Sequence, residues 1–228
     1  MSAELVFLLD VDNTLLDNDR VIDDLRRHLQ AEFGTANANR YFAIFEALRD
    51  ELGYANYLGA LQRYRSEIEL DPTGDCRLLR MSDFLLDYPF ADRLYPGALE
   101  VIAHLDRLGR CVILTDGDVV FQPRKVQRSG LWDAVDGRVL IYVHKEQRLD
   151  AVQQLYPARH YVLVDDKLRI LSAVKSAWQQ RVSTVFPRQG HYAHDPKIVA
   201  AHPAPDLSID RIGELADADL MTLTKESA

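Results

Sequence analysis

Asp10 and Asp12 stand two positions apart in the run Asp10-Val11-Asp12-Asn13-Thr14-Leu15, directly after the apolar stretch Leu5–Leu9. Residues at i and i+2 leave an extended chain on the same side, so a strand running out into a loop here delivers both carboxylates to one place. Paired acids at a strand end suit a nucleophile or metal ligand beside a proton-transfer group. Asp and Asn are also ordinary turn residues, and one pair does not decide between these readings. Three further segments carry polar groups of the same kind: Thr115-Asp116-Gly117-Asp118, His144-Lys145-Glu146 and Asp165-Asp166-Lys167. Each follows an apolar run, and each taken alone also reads as a solvated turn.

Together the four stations form a set suited to phosphoryl transfer. Asp10 would attack phosphorus and give an aspartyl-phosphate. A hard cation, Mg²⁺, would be held by oxygens of Asp10, the Asp12 main-chain carbonyl and an acid of the Asp165/Asp166 pair. Such a cation lets an anionic nucleophile approach an anionic phosphate. Thr115 and Lys145 would hold the phosphoryl oxygens. Asp12 would protonate the leaving oxygen and then take a proton from the attacking water.

The elements that must position these groups are legible in the apolar pattern. Leu5–Leu9, Cys111–Leu114, Val139–Val143, Tyr161–Val164 and Val182–Phe186 are short runs with little alternation, as expected of strands covered on both faces of a parallel sheet. Helical spacings lie between them: Leu99, Ile102, Leu105 and Leu108, with Pro96 before and Gly109 after, and then Leu171, Val174 and Trp178. Alternating strand and helix predicts an α/β fold, a Rossmann-like doubly wound parallel sheet, whose ligands bind beyond the carboxyl ends of the strands. All four stations lie there. From about Asn18 to Tyr95 the pattern is helical throughout. Its stripes are Ile22/Leu25/Leu29/Phe33, Tyr41/Phe45/Leu48/Leu52, Tyr57/Leu61/Tyr64/Ile68 and Leu78/Met81/Leu85. Four amphipathic helices can bury a core of their own. The expected organisation is an α/β core of residues 1–17 and 96–228 with an inserted helical cap of residues 18–95.

Asp10-Val11-Asp12-Asn13-Thr14, Thr115, Lys145 and Asp165-Asp166 resemble, in order and position, the four motifs of the haloacid dehalogenase (HAD) superfamily. The insertion after the first motif resembles the helical cap of its phosphoglycolate-phosphatase-like branch, in which the cap closes over the site and contributes specificity. The chain departs from the family pattern at Asp116, where Asn is common and where the resemblance implies mainly main-chain groups binding the phosphate, and in its paired acids Asp165-Asp166. Either acid can be the direct metal ligand. The reading taken is Asp166 on the metal, with Asp165 orienting metal-bound water. Dehalogenase and phosphonate-cleaving relatives lack an acid at the position of Asp12. The resemblance therefore implies a Mg²⁺-dependent phosphatase of a small phosphorylated metabolite. The alternatives are a phosphomutase of the β-phosphoglucomutase type, a 2-haloacid dehalogenase, and a non-catalytic binding protein of the same fold.

Other residues receive plainer readings. Lys125, in Pro123-Arg124-Lys125-Val126-Gln127-Arg128, is expected to be solvated on an exposed helix, leaving Lys145 for the phosphate. His144 is a neighbour of the site. His191 and His194 read as loop histidines and not as a zinc pair, and Phe186–His191 as a loop that can border the pocket. Tyr41, Phe42, Phe45 and Tyr57 read as cap core. Cys76 and Cys111 lack metal-site spacing, and Cys111 reads as a buried thiol. The last residues, from Asp217 on, read as a partly ordered tail.

The 228 residues carry a net charge of −8, a pI near 5.3, 47% hydrophobic and 27% charged residues. That balance is globular and offers no basic footprint for nucleic acid. Neither a signal peptide nor a membrane span is legible. A cytoplasmic monomer or homodimer is expected.

Overall fold

The computed structural model describes residues 3–67 and 74–219, with the side chains of residues 3 and 74–78 excepted. Ile68, the side chains of Cys76 and Leu78, and the residues beyond 219 lie outside what is described. Six parallel strands form one sheet: β1 (Ala3–Leu9), β2 (Arg110–Asp116), β3 (Val139–Tyr142), β4 (Ala158–Val164), β5 (Val182–Pro187) and β6 (Leu207–Ile209). Their order is β3-β2-β1-β4-β5-β6. The direction of winding reverses at β1, so the crevice between the ends of β1 and β4 is where a doubly wound sheet binds its ligand. Here β1 carries Asp10 and Asp12 just past its end, and β4 carries Asp165 and Asp166. Leu9 pairs with Val164.

The sheet is covered on both sides because alternate residues of its central strands are equally apolar. Phe7, Leu9, Cys111, Ile113, Val162 and Val164 join one buried cluster. Val6, Leu8, Val112, Leu114, Tyr161 and Leu163 join the other. The edge strand β3 is only half-buried along its length, so its run is apolar without being covered on both faces. The short β6 was not legible as a strand, since three residues are too few to show a period.

After β1 the described residues of the insertion form the helices α1 (Asn18–Phe33), α2 (Thr35–Leu52), α3 (Tyr57–Glu67) and α4 (Gly74–Asp87). The stripes read from the sequence face inward, with Leu25, Leu29, Tyr41, Phe45, Leu48, Tyr57, Tyr64, Met81 and Leu85 all buried. The chain enters and leaves this insertion side by side, through an antiparallel bridge between Leu16 and Leu94. The remaining helices are α5 (Ala98–Leu105), α6 (Phe121–Arg128), α7 (Leu131–Ala134), α8 (Leu149–Leu155), α9 (Leu168–Trp178), α10 (Gly190–Ala193) and α11 (Pro196–Ala200). On α5 the buried face is Ala98, Val101, Ile102 and Leu105, while Leu99 and Leu108 are exposed. The stripe through Leu99 and Leu108 is therefore corrected by about one position, because the small Ala98 packs inward. Among the described residues no helix is long and apolar enough to cross a membrane.

A polar clasp holds the two ends of the insertion. Arg93 donates to Asp24 at 2.8 Å and to the Tyr88 hydroxyl at 2.7 Å, while that hydroxyl donates to Asp24. Burial alone would raise the Asp24 carboxyl, but hydrogen bonds from Tyr88, Arg93 and Arg27 outweigh it and lower it to about 2. A depressed carboxylate contributes stability above its unfolded value, near 3.8, and loses it as the pH falls towards 2. Asp24→Asn is expected to cost about 1–2 kcal/mol at neutral pH. Melting curves should show the gap between variant and wild type closing between pH 4 and 2, and a gap unchanged across that range would contradict the clasp.

Candidate functional site

The loop after β1 is shaped by its own side chains. Asn13 adopts a left-handed conformation (φ 61°), which turns the chain sharply after Asp12. Its Oδ1 accepts from the Asn18 and Asp19 main-chain N–H groups at 3.0 and 3.2 Å, which caps the first turn of α1. Gly190 packs against Asn13 so closely that a Cβ there would lie 2.6 Å from its side chain. Thr14 ties the first acid station to the fourth. Its hydroxyl donates to Asp10 Oδ2 at 3.3 Å and accepts from the Asp166 N–H at 3.0 Å.

Asp10, Asp165 and Asp166 converge, each offering a carboxylate oxygen within 4.8 Å of the others, and all three are buried. Lys145, itself buried, reaches Asp10 Oδ1 at 2.5 Å, Asp165 Oδ2 at 2.6 Å and the Leu114 carbonyl at 3.1 Å. Burial would push the Lys145 ammonium down, yet Asp10, Asp165 and Asp116 outweigh it and hold the charge far more firmly than in water. Burial raises Asp165 to about 6 against the pull of Lys145 and Lys167. Asp166 is likewise held well above the ordinary carboxylate range, chiefly by burial, and both of its carboxylate oxygens are buried without a hydrogen-bond partner. A carboxylate stripped of water and given no donor is costly. An all-oxygen donor set of this kind fits a hard divalent cation.

The other expected site residues fall around this cluster. Thr115 is buried at the end of β2, and its hydroxyl accepts from Gln122 Nε2 at 3.0 Å. The hydroxyl hydrogen is thereby left free to donate elsewhere. Asp116 Oδ1 accepts from the Lys145 main-chain N–H at 2.7 Å, fastening the Lys145 turn to β2. Asp12, Asp116, Asp166 and Lys167 line a cavity of about 510 Å³ between the strand ends and the helical insertion. Asp10, Thr115, Lys145 and Asp165 are buried outside that lining.

Several readings are corrected. Lys125 is not solvated: it is completely buried, and Nζ donates to Asp12 Oδ1 at 2.6 Å and to Asn18 Oδ1 at 3.0 Å. Its basic neighbours Arg124 and Arg128 occupy the solvent side and reach Asp87, so the run has a buried and an exposed face. Phe45 and Tyr57 are core as expected, but they also line the cavity. His191, expected in a loop, lies on α10 and lines the cavity, with its Nδ1 2.7 Å from Asp19. His191 and His194 join no metal-binding group among the described residues. His144 packs its ring against Gly53 of the insertion. Cys111 is a free buried thiol, pushed up to about 12 by burial. Sequence reasoning missed Thr14, Gln122 and Gln189 as supports. Gln189 donates to the Thr14 carbonyl at 3.0 Å and accepts from Ile212 N–H at 2.6 Å, which pins the loop beneath Asp10.

Comparison with known proteins bears on the family and the fold. Residues 5–177 match the family model described as hydrolase, haloacid dehalogenase-like hydrolase. A solved structure named as a haloacid dehalogenase-like hydrolase, from Burkholderia xenovorans LB400, is 63% identical. It covers 96% of this chain and 98% of its own, with a TM-score of 0.89. The HAD-hydrolase YfnB from Bacillus subtilis, bound to magnesium, is 18% identical over 95% of this chain and 98% of its own, with a TM-score of 0.60. The L-2-haloacid dehalogenase of Xanthobacter autotrophicus is likewise 18% identical over 95% and 98%, with a TM-score of 0.58. No curated protein matches the chain. The last two likenesses speak for the fold alone. With the family model spanning most of its length and the acid cluster at the β1–β4 crevice, this chain belongs to the haloacid dehalogenase-like hydrolases.

Proposed function

We propose that the protein is a Mg²⁺-dependent phosphatase of a small phosphorylated metabolite, with α1–α4 as a helical cap over the site. The observation that carries this reading is Asp166: a buried carboxylate with both oxygens unpartnered, beside Asp10 and Asp165. Three carboxylates face two ammoniums, Lys145 and Lys167, so the cluster keeps a negative excess that a divalent cation offsets. Asp10, Asp166 and the Asp12 carbonyl would hold Mg²⁺, and Asp165 would orient its water. Bound there, Mg²⁺ supplies the charge that lets an anionic nucleophile approach an anionic phosphate. Carbon–halogen displacement on a haloacid needs no such cation, and the presence of Asp12 as a proton donor also speaks for an ester leaving group.

In this reading Lys145 and Thr14 fix the Asp10 carboxylate for attack on phosphorus. The phosphoryl–oxygen bond of the ester breaks as the bond to Asp10 forms. Asp12 gives a proton to the departing alkoxide and takes one from the water that hydrolyses the aspartyl-phosphate. The free hydroxyl hydrogen of Thr115 and the Lys145 ammonium steady the phosphoryl oxygens. Gly53, Tyr54, Arg49 and Tyr57 on the cavity's cap side would meet the rest of the substrate.

The expected result is phosphate release from p-nitrophenyl phosphate and from members of a metabolite panel with Mg²⁺, abolished by EDTA. Halide release from chloroacetate without added metal, and no phosphate release, would overturn the reading. Inorganic phosphate as the product separates hydrolysis from an isomerised sugar phosphate.

A further inference from the structure

Lys125 is a lysine with no exposed surface, and the proposed chemistry leaves it without a task. Burying an ammonium costs several kcal/mol unless it is paired and hydrogen-bonded. Here the partners are specific: Asp12 Oδ1 at 2.6 Å and Asn18 Oδ1 at 3.0 Å. Nζ also lies 5.1 Å from the centre of the Phe121 ring, within reach of a cation–π contact. Asn18 is the first residue of α1, and its side chain is hydrogen-bonded to the Tyr57 hydroxyl of α3. Tyr57 in turn packs on Phe121, ring centres 4.7 Å apart. The lysine thus joins α6 of the sheet domain, the root of the insertion, and the acid after β1.

A purely structural tie between these elements needs no charge. An apolar side chain of Lys125's length is often as stable as a buried ion pair. What a charge at this place does uniquely is fix the Asp12 carboxylate. With Oδ1 held by Lys125, the carboxylate cannot rotate freely. Oδ2 has no hydrogen-bond partner among the described residues, and Asp12 lines the cavity with its side chain 24% exposed. We propose that Lys125 is a positioning residue that locks the Asp12 carboxylate by one oxygen, so that the other is presented to the leaving oxygen of the substrate. This inference rests on the phosphatase reading above. Asn18, by holding the same ammonium at 3.0 Å, anchors Lys125 and so keeps its hold on Asp12 fixed in place.

The test exploits how much proton help a leaving group needs. Benzyl phosphate departs as an alkoxide and depends on Asp12, whereas p-nitrophenyl phosphate, of similar shape, departs as a stable phenolate. General-acid assistance is worth roughly 10²–10⁴-fold where it is needed. Lys125→Met is expected to lower kcat for benzyl phosphate at least about 10-fold more than kcat for p-nitrophenyl phosphate, with similar KM values. In an Asp12→Asn background the same change should leave the ratio of the two rates unaltered. Lys125→Gln, which keeps donors towards Asp12 and Asn18, should recover part of the benzyl phosphate rate, and it carries the comparison should the Met variant melt below the assay temperature. Equal losses on both esters, or no loss on either, would overturn the positioning role while leaving the phosphatase reading intact. A wild-type protein releasing phosphate from neither ester, with Mg²⁺ present, overturns both.

Discussion

Asp10→Asn is expected to remove turnover by on the order of 10⁴-fold or more while leaving the protein folded. A nucleophile that forms a covalent intermediate has no substitute within the site, and loss of such a group costs several powers of ten elsewhere. The effect on folding is small by comparison because opposing changes nearly offset. The variant loses one anion from a cluster of three buried carboxylates, which relieves repulsion. It also deprives Lys145 of its 2.5 Å partner, but Lys145 keeps Asp165 at 2.6 Å. A net shift within about 1–2 kcal/mol follows. Single-turnover phosphate release together with thermal melting separates the two effects. Wild-type-like turnover by this variant would sink the aspartyl-phosphate mechanism.

Lys145→Met is the complementary case, in which stability and turnover fall together. The change leaves Asp10 and Asp165 buried without their shared counter-charge. Breaking a buried pair from one side costs about 3–5 kcal/mol because the remaining charge is uncompensated. Two anions are stranded here, so the upper part of that range is expected. A divalent cation bound by the same acids should restore part of the loss, about 2.7 kcal/mol at a hundredfold excess over its dissociation constant. Urea unfolding in EDTA and in Mg²⁺ reads both quantities. Turnover should stay low even where Mg²⁺ has restored the fold, since a phosphoryl-oxygen contact is missing. A Met variant as stable as wild type in EDTA would mean that the acid cluster is protonated and needs no lysine.

The division between what was legible and what was not follows sequence distance. Asp10, Asp12, Asp165 and Asp166 were legible because each station follows an apolar run, and strand periodicity is a property of a few consecutive residues. Once the sheet is parallel and doubly wound, all strand ends of that polarity share one edge, so order along the chain already implies proximity. Lys145 was legible for the same reason. Lys125 was not, because nothing local distinguishes it from Arg124 and Arg128. Its burial is decided by which side of α6 packs against Asp12 and Asn18, partners 113 and 107 positions away. His191 was hidden in the same way, since its pairing with Asp19 spans 172 positions.

By itself, then, the sequence determined the doubly wound α/β class, the helical insertion after the first strand, and the carboxylates and lysine gathered at one sheet edge. These follow from short-range periodicity and from the single hand and direction that parallel strands allow. Only the tertiary structure decided how the groups are shared: that Lys145 spans Asp10 and Asp165, that Asp166 is left without a donor, that Asp116 serves the Lys145 main chain, and that Lys125 holds Asp12. Partner choice in a buried site depends on ångström distances and on the exclusion of water. Those are set by the packing of the sheet against the insertion, and no local stretch of the chain encodes them.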